Sequence, residues 1–158
     1  MRWIWIDRFV EFSPGERAVA IKNVSLAEEH VHDHWPAFPV HPATLMIEGM
    51  AQTAGILVGQ ARNFEEKVIL AKIKNARFDD LVTPGDQVTF QAEIETITPE
   101  FASTKGTVLR NGEPLGQVDL MFSHIDQNLS GVEFPKENFV FTGQFMRLIA
   151  PFVETSDD

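Results

Sequence analysis

Five histidines occur in this chain, and four of them, His30, His32, His34 and His41, fall in the run HVHDHWPAFPVHP at residues 30–42. Imidazole changes charge near neutral pH and binds metals through its ring nitrogens, so such a cluster suits proton transfer or metal ligation. Seven residues after His41 comes Glu48, set among Leu45, Met46, Ile47, Gly49 and Met50. A carboxylate in apolar surroundings must be paired, be neutral or take part in chemistry. The plain alternative is a structural ion pair, for instance with Arg77.

Consider a metal first. In an extended segment His30, His32 and His34 would share one face, and His41 or Asp33 could complete a nitrogen and oxygen ligand set. No second part of a ligand pattern appears elsewhere, and the absence of cysteine excludes thiolate sites. We therefore expect no functional metal and no cofactor, with His30, His32 and His41 solvated or supporting.

Proton transfer asks for less. Pro42 can open a helix, because its missing N–H costs nothing at a helix start. Glu48 then lies one turn too deep to cap that helix. Gln52, four residues on, shares its face and can hydrogen-bond the carboxyl. A loop histidine, a helix N-terminus with free N–H groups and an acid one turn inside are the parts of a site that moves protons α to a carbonyl.

The elements that would hold these groups follow from patterning. Residues 3–11 read as a strand, SPGE at 13–16 as a type II turn, and 17–24 as a second strand. Residues 25–41 show no periodicity and read as loop. Residues 42–60 form a helix with almost no charge, apolar nearly all round and so buried on most faces. Ala51, Gly55 and Gly59 make a small-residue stripe, which predicts close approach of another backbone. From 68 to 125 the chain alternates as an antiparallel meander: strands at 68–78, 87–97, 101–110 and 113–125, with TPGD at 83–86 and Asn111-Gly112 as turns. Beyond lies a tail, 126–158, with a short helix near 139–149 and a disordered end at 154–158. The fold class is α+β: a long central helix wrapped by a curved antiparallel sheet.

Composition bounds the function. A chain of 158 residues with 44% hydrophobic content is one domain with a real core. A net charge of −10 argues against nucleic acid or an anionic membrane as the main partner. The opening MRWIWIDRF is too short and polar for a signal peptide. The apolar run 45–59 contains Glu48 and Gln52 and is too short for a bilayer, so we expect no membrane insertion and a cytoplasmic location.

The run His34-Trp-Pro-Ala-Phe-Pro-Val-His-Pro-Ala-Thr-Leu-Met-Ile-Glu48-Gly-Met-Ala-Gln52 resembles the active-site segment of FabZ-type (3R)-hydroxyacyl-[acyl-carrier-protein] dehydratases. Their pattern is His-Phe-Pro-Gly-x-Pro-x-x-Pro-Gly, then an apolar helix with Glu followed by Ala-x-Ala-Gln. The fourteen-residue separation from His34 to Glu48 fits without a gap, and IDRFVEFSPGERAVAIKNVS (6–25) and KIKNARFDDLVTPGDQV (72–88) resemble the family's flanking strands. The likeness covers residues 3–125, so 1–125 is expected to be the dehydratase-like domain and 126–158 a C-terminal extension, partly disordered.

The resemblance implies a hotdog fold and a homodimer, possible also as a hexamer built as a trimer of dimers, with the active site between two chains. It implies that His34 removes the C2 proton of a 3-hydroxyacyl thioester, carried by acyl carrier protein or coenzyme A. Glu48 of the other chain would protonate the departing hydroxyl to leave a trans-2-enoyl thioester, a step of fatty-acid biosynthesis. The N–H of Ala43 would bind the thioester carbonyl, with Val40 and Gln52 also on the substrate side. The chain departs from the pattern at Ala37 and Ala43, which replace Gly, at Trp35, which replaces Phe, and at His41, where an apolar residue is usual. Two other readings compete: a hotdog thioesterase using the same acid and helix N-terminus to activate water, and a non-catalytic acyl-chain-binding protein. The presence of both His34 and Glu48 favours dehydration.

Overall fold

Tight turns set the register of the sheet. In the computed structural model, which describes residues 3–125 and 140–153, Gly15 and Gly85 of the two Pro-Gly turns have φ of 72° and 99°. Each turn closes with a backbone hydrogen bond, Glu16 N–H to Ser13 C=O at 3.1 Å and Asp86 N–H to Thr83 C=O at 3.1 Å. Asn111 and Gly112 also take positive φ, 52° and 86°, as a type I′ hairpin requires.

Six strands result: β1 (Arg8–Ser13), β2 (Arg17–Asn23), β3 (Lys67–Phe78), β4 (Gln87–Ile97), β5 (Phe101–Arg110) and β6 (Glu113–Ile125). They form one antiparallel sheet in the order β1-β2-β4-β5-β6-β3. Register shifts in β1–β2, β3–β6, β4–β5 and β5–β6 are bulge-like breaks that bend strands and increase twist. The sheet curls around α2 (Ala43–Gln60), which also has the smaller helices α1 (Glu29–His34) and α3 (Gly143–Val153) for company. This is the hotdog arrangement. No described helix is long and apolar enough to cross a membrane.

Helix α2 is buried through Met46, Gly49, Met50, Gln52, Thr53, Ala54 and the run from Ile56 to Gly59. The space left by its glycines is taken by aromatic rings and not by another backbone. The Phe90 ring of β4 reaches 2.5 Å from where a Cβ on Gly49 would stand, and Phe141 fills the corresponding space at Gly59. Glycine weakens a helix, but here it opens room for phenylalanine rings that seal the core.

Three expectations need correction. Residues 3–7 are not strand: the N–H of Trp5 donates to the Gln52 side chain at 2.7 Å, so this segment lies along α2 and pairing starts at Arg8. Residues 29–34 are helix and not loop. A helix of six residues is shorter than the window in which periodicity shows, and it is held by the fully buried Val31. The C-terminal helix runs over Gly143–Val153, later than 139–149, because Ile149 and Phe152 are its anchors to the core. The expected disorder at 154–158 lies outside the described residues.

Gly49→Ala is expected to lower stability. Helix propensity would gain about 1 kcal/mol, but overpacking against Phe90 costs about 1–3 kcal/mol. Chemical denaturation should show a lower midpoint; an equal or higher midpoint would mean that the ring yields freely.

Candidate active site

Pro42 is the N-cap of α2, extended at φ −60° and ψ 139°, and the helix begins at Ala43. Leu45 and Met46 donate their N–H groups to the Pro42 carbonyl at 3.0 and 3.2 Å. No side chain caps this end. The N–H groups of Ala43 and Thr44 have no acceptor among the described residues, and Ala43 is exposed. A helix start of this kind favours negative charge. It borders a cavity of about 470 Å³ lined by His41, Ala43, Met46, Phe78, Asp79, Asp80 and Leu81.

One turn further along, Glu48 is half-buried and faces a second cavity, of about 220 Å³. One oxygen, Oε1, accepts from Gln52 Nε2 at 3.0 Å and from the Trp3 indole N–H at 3.1 Å. Gln52 is itself held twice by the N-terminal segment. Its Oε1 accepts from Trp5 N–H, and its Nε2 donates to the Trp3 carbonyl at 3.0 Å. The carboxyl is thus oriented by neutral donors and not by a counter-ion. The arginine pair considered from sequence is absent, since Arg77 binds Asp79 at 2.8 Å. The part played by Trp3 and Trp5 was missed in the sequence. Their alternation in Trp-Ile-Trp, which places both indoles on one side, was the available signal.

His34 ends α1, is exposed, and lines neither cavity. No hydrogen bond or ion pair joins it to Glu48 among the described residues. Val40 is buried, 3% exposed, and its side chain belongs to the core and not to either cavity. One chain therefore brings Glu48 and Gln52 together, places Ala43 at a neighbouring cavity, and leaves His34 apart on the surface. Ala37, Trp35 and Phe38 are exposed beside it, and the rings of Trp35 and Phe38 touch edge to face.

The other histidines separate because α1 is helical. Residues two apart on a helix point to different sides, so His32 leaves the side of α1 that His30 and His34, four apart, share. His32 Nε2 meets the Leu26 carbonyl at 2.6 Å. His30 turns inward, and its Nε2 lies 2.9 Å from Nδ1 of His41. Glu28 stands close enough that Glu28, His30 and His41 could approach one cation. But Glu28 already binds the Lys22 ammonium at 2.5 Å, and the two imidazoles already bind each other. A buried lysine, 4% exposed, is a poor neighbour for a metal ion, and we assign none.

His41 is 2% exposed, and burial pushes its pKa down to about 3, helped by the nearby His30 and Lys22. Burial also lowers His30, against the attraction of Glu28. Both rings are neutral near neutrality. Below the ordinary value of 6.5 the unfolded chain takes a proton that folded His41 refuses until about pH 3. The unfolded chain therefore binds more protons than the folded one in that window, and stability falls as pH drops through it, by at most about 1.4 kcal/mol per pH unit. His41→Met should flatten the loss of denaturation free energy between about pH 6 and pH 4. Parallel profiles for the two proteins would show that His41 is not the group responsible.

Comparison with known proteins shows the family. The FabA-like domain family matches residues 3–115. The 3-hydroxyacyl-[acyl-carrier-protein] dehydratase FabZ of Halalkalibacterium halodurans is 35% identical over 122 residues, 77% of this chain and 87% of that protein. The FabZ of Geobacillus thermodenitrificans is 36% identical over 77% of this chain and 84% of its own length. Among solved structures, the dehydratase heterocomplex ApeI:P of Xenorhabdus doucetiae superposes with a TM-score of 0.66 at 17% identity, covering 79% of this chain and 85% of that one. A thioesterase of Haemophilus influenzae gives 0.62 at 14% identity, covering 78% and 81%. The last two share the fold, while the family match and the identity to the first two show the family: the chain belongs to the FabA-like family, among the FabZ-type dehydratases.

Proposed function

We propose that this protein dehydrates a 3-hydroxyacyl thioester carried by acyl carrier protein, giving a trans-2-enoyl thioester and water. The observation that carries the reading is Glu48, fastened by Gln52 and Trp3 at one end of an apolar cavity, fourteen residues after His34. His34 takes the C2 proton as its imidazole becomes imidazolium. Electron density moves toward the thioester carbonyl, and the free N–H of Ala43 at the start of α2 donates a hydrogen bond to the oxygen where negative charge develops. As the C2–C3 double bond forms, the C3–O bond breaks and the Glu48 carboxyl gives its proton to the hydroxyl, which leaves as water. The imidazolium proton then restores the carboxyl through solvent. Gln52 orients the acid, and Val40 contributes through its backbone, since its side chain is buried. Alanine at 43 keeps the N–H that the role needs. Residues 1–125 form the catalytic module and 126–158 its C-terminal extension; the family match over 3–115 supports that division.

The working unit on this reading is a homodimer, with His34 from one chain and Glu48 from the other. Support comes from two surfaces that the described residues of a single chain leave uncovered. Strand β3 is a sheet edge of twelve residues, with Leu70 and Ile73 exposed. Trp35 and Phe38 are 54% and 47% exposed beside His34. Bare strand edges and exposed aromatics both invite a partner.

His34→Ala and Glu48→Gln should each lower hydration of an enoyl thioester by roughly 10²-fold or more, the usual scale for a general acid or base. The two inactive proteins, co-refolded in equal amounts, should regain about a quarter of wild-type activity, because half the dimers are hybrids with one whole site. Full activity in either variant would remove that residue from the mechanism. A mixture that stays inactive, with hybrids shown to form, would refute a site shared between chains.

A further inference from the structure

The cavity behind Glu48 has a direction. Along α2 it is lined by Glu48, Ala51, Gln52, Gly55 and Ile56, and Phe141 packs at Gly59, one turn further on. At 1.5 Å per residue, Glu48 and Gly59 stand roughly 16 Å apart along the helix axis. Polar side chains occur at one end, where Glu48, Gln52 and the Trp3 indole meet. The rest of the lining is apolar, from α2, from β3 and β6, and from Val140, Phe141 and Phe145.

Those last three residues lie beyond residue 115, where the family match stops. They are not a loose tail. The Phe141 ring lies edge to face on Phe64, centroids 5.0 Å apart, and enters the space left by Gly59. Ile149 is fully buried, and Phe152 meets Phe9 and Phe12 of β1 at 6.4 and 6.2 Å between centroids. The segment is thus pinned to the core both at Phe141, beside the cavity, and further along at Ile149 and Phe152.

We propose that this C-terminal segment is the wall that limits acyl-chain length, with Phe141 and Phe145 as the residues that set the limit. The inference rests on the dehydratase reading for its substrate, an acyl thioester whose reacting carbons meet the catalytic acid. A cavity of about 150 Å³ holds benzene, so one of about 220 Å³ holds on the order of eight or nine carbons. The small residues Ala51 and Gly55 leave the channel open along the helix, and Phe141 stops it at Gly59, where a glycine lets the ring sit against the helix backbone. Chains of octanoyl size fit; hexadecanoyl chains do not, unless the rings move.

The test compares wild type, Phe141→Ala, Phe145→Ala and the milder Phe141→Leu and Phe145→Leu in hydration of crotonyl, octenoyl and hexadecenoyl thioesters. The readout is the ratio of kcat/KM for hexadecenoyl to that for octenoyl, which a general loss of structure would not raise. Wild type should disfavour hexadecenoyl by about tenfold or more, and at least one folded variant should raise the ratio by about tenfold, the scale at which pockets discriminate methylenes. Calorimetric titration with octanoyl- and palmitoyl-pantetheine gives a second measurement that needs no turnover and no variant. Wild type should bind the octanoyl compound more tightly. Active proteins with an unchanged ratio, or equal binding of both pantetheines by wild type, would overturn the wall and leave the dehydratase reading standing. Chain-length selection in binding, with no hydration of any thioester, would overturn the dehydratase reading and keep the wall.

Discussion

Everything in this fold depends on enclosing one helix that has almost no polar face. Helix α2 removes most of its surface from water only if a sheet curls around it, and the curl needs bulged strands and side chains that interlock at short range. Phe90 set into Gly49 is one such contact. Met50 against Gly106 of β5 is another: its sulfur would stand 2.6 Å from a Cβ there. Each pairs a large side chain with a missing one, so helix and sheet meet at a distance that a Cβ on either side would prevent. The apolar area gained offsets the helix propensity lost at the glycines.

The same burial decides how the Glu48 carboxyl is held. A carboxyl on such a helix cannot find a counter-ion without bringing a second charge into the core. Here it finds an amide and an indole, and both come from parts of the chain fixed to α2. Gln52 is the hub, with one amide group serving the Trp5 backbone, the Trp3 carbonyl and Glu48. The residues that orient Glu48 also tie the segment around Trp3 and Trp5 to the core. Loss of Gln52 would therefore affect folding and positioning together, and kinetics alone would not separate them.

The histidine cluster divides along the same line between surface and core. His34 stays on the surface, where a second chain or a substrate can reach it. His30 and His41 go inward and hold each other next to Trp5 and Lys22, at the approach to the N-terminus of α2. Four imidazoles close in sequence thus have different physical tasks. Desolvation, more than any charge nearby, separates the ring kept neutral at His41 from the ring left in water at His34.

Much was legible in the residues alone. The Pro-Gly and Asn-Gly turns, the alternation of β4 and the charge-free run after Pro42 are local signals, so sheet, helix and α+β class followed from them. The spacing of His34, Glu48 and Gln52 is also local, and it carried the likeness to the dehydratases. What tertiary structure decided is what depends on distant parts meeting. The Trp3 segment leaves the sheet because Gln52, forty-seven residues from Trp5, offers its backbone an acceptor. His30 pairs with His41 because α1 turns one of its faces inward around Val31. Phe141 fills the place of a Cβ at Gly59 from beyond the stretch that the family shares. No short window of sequence holds Trp5 with Gln52 or Gly59 with Phe141, and His30 and His41, eleven residues apart, meet only once the chain between them has folded.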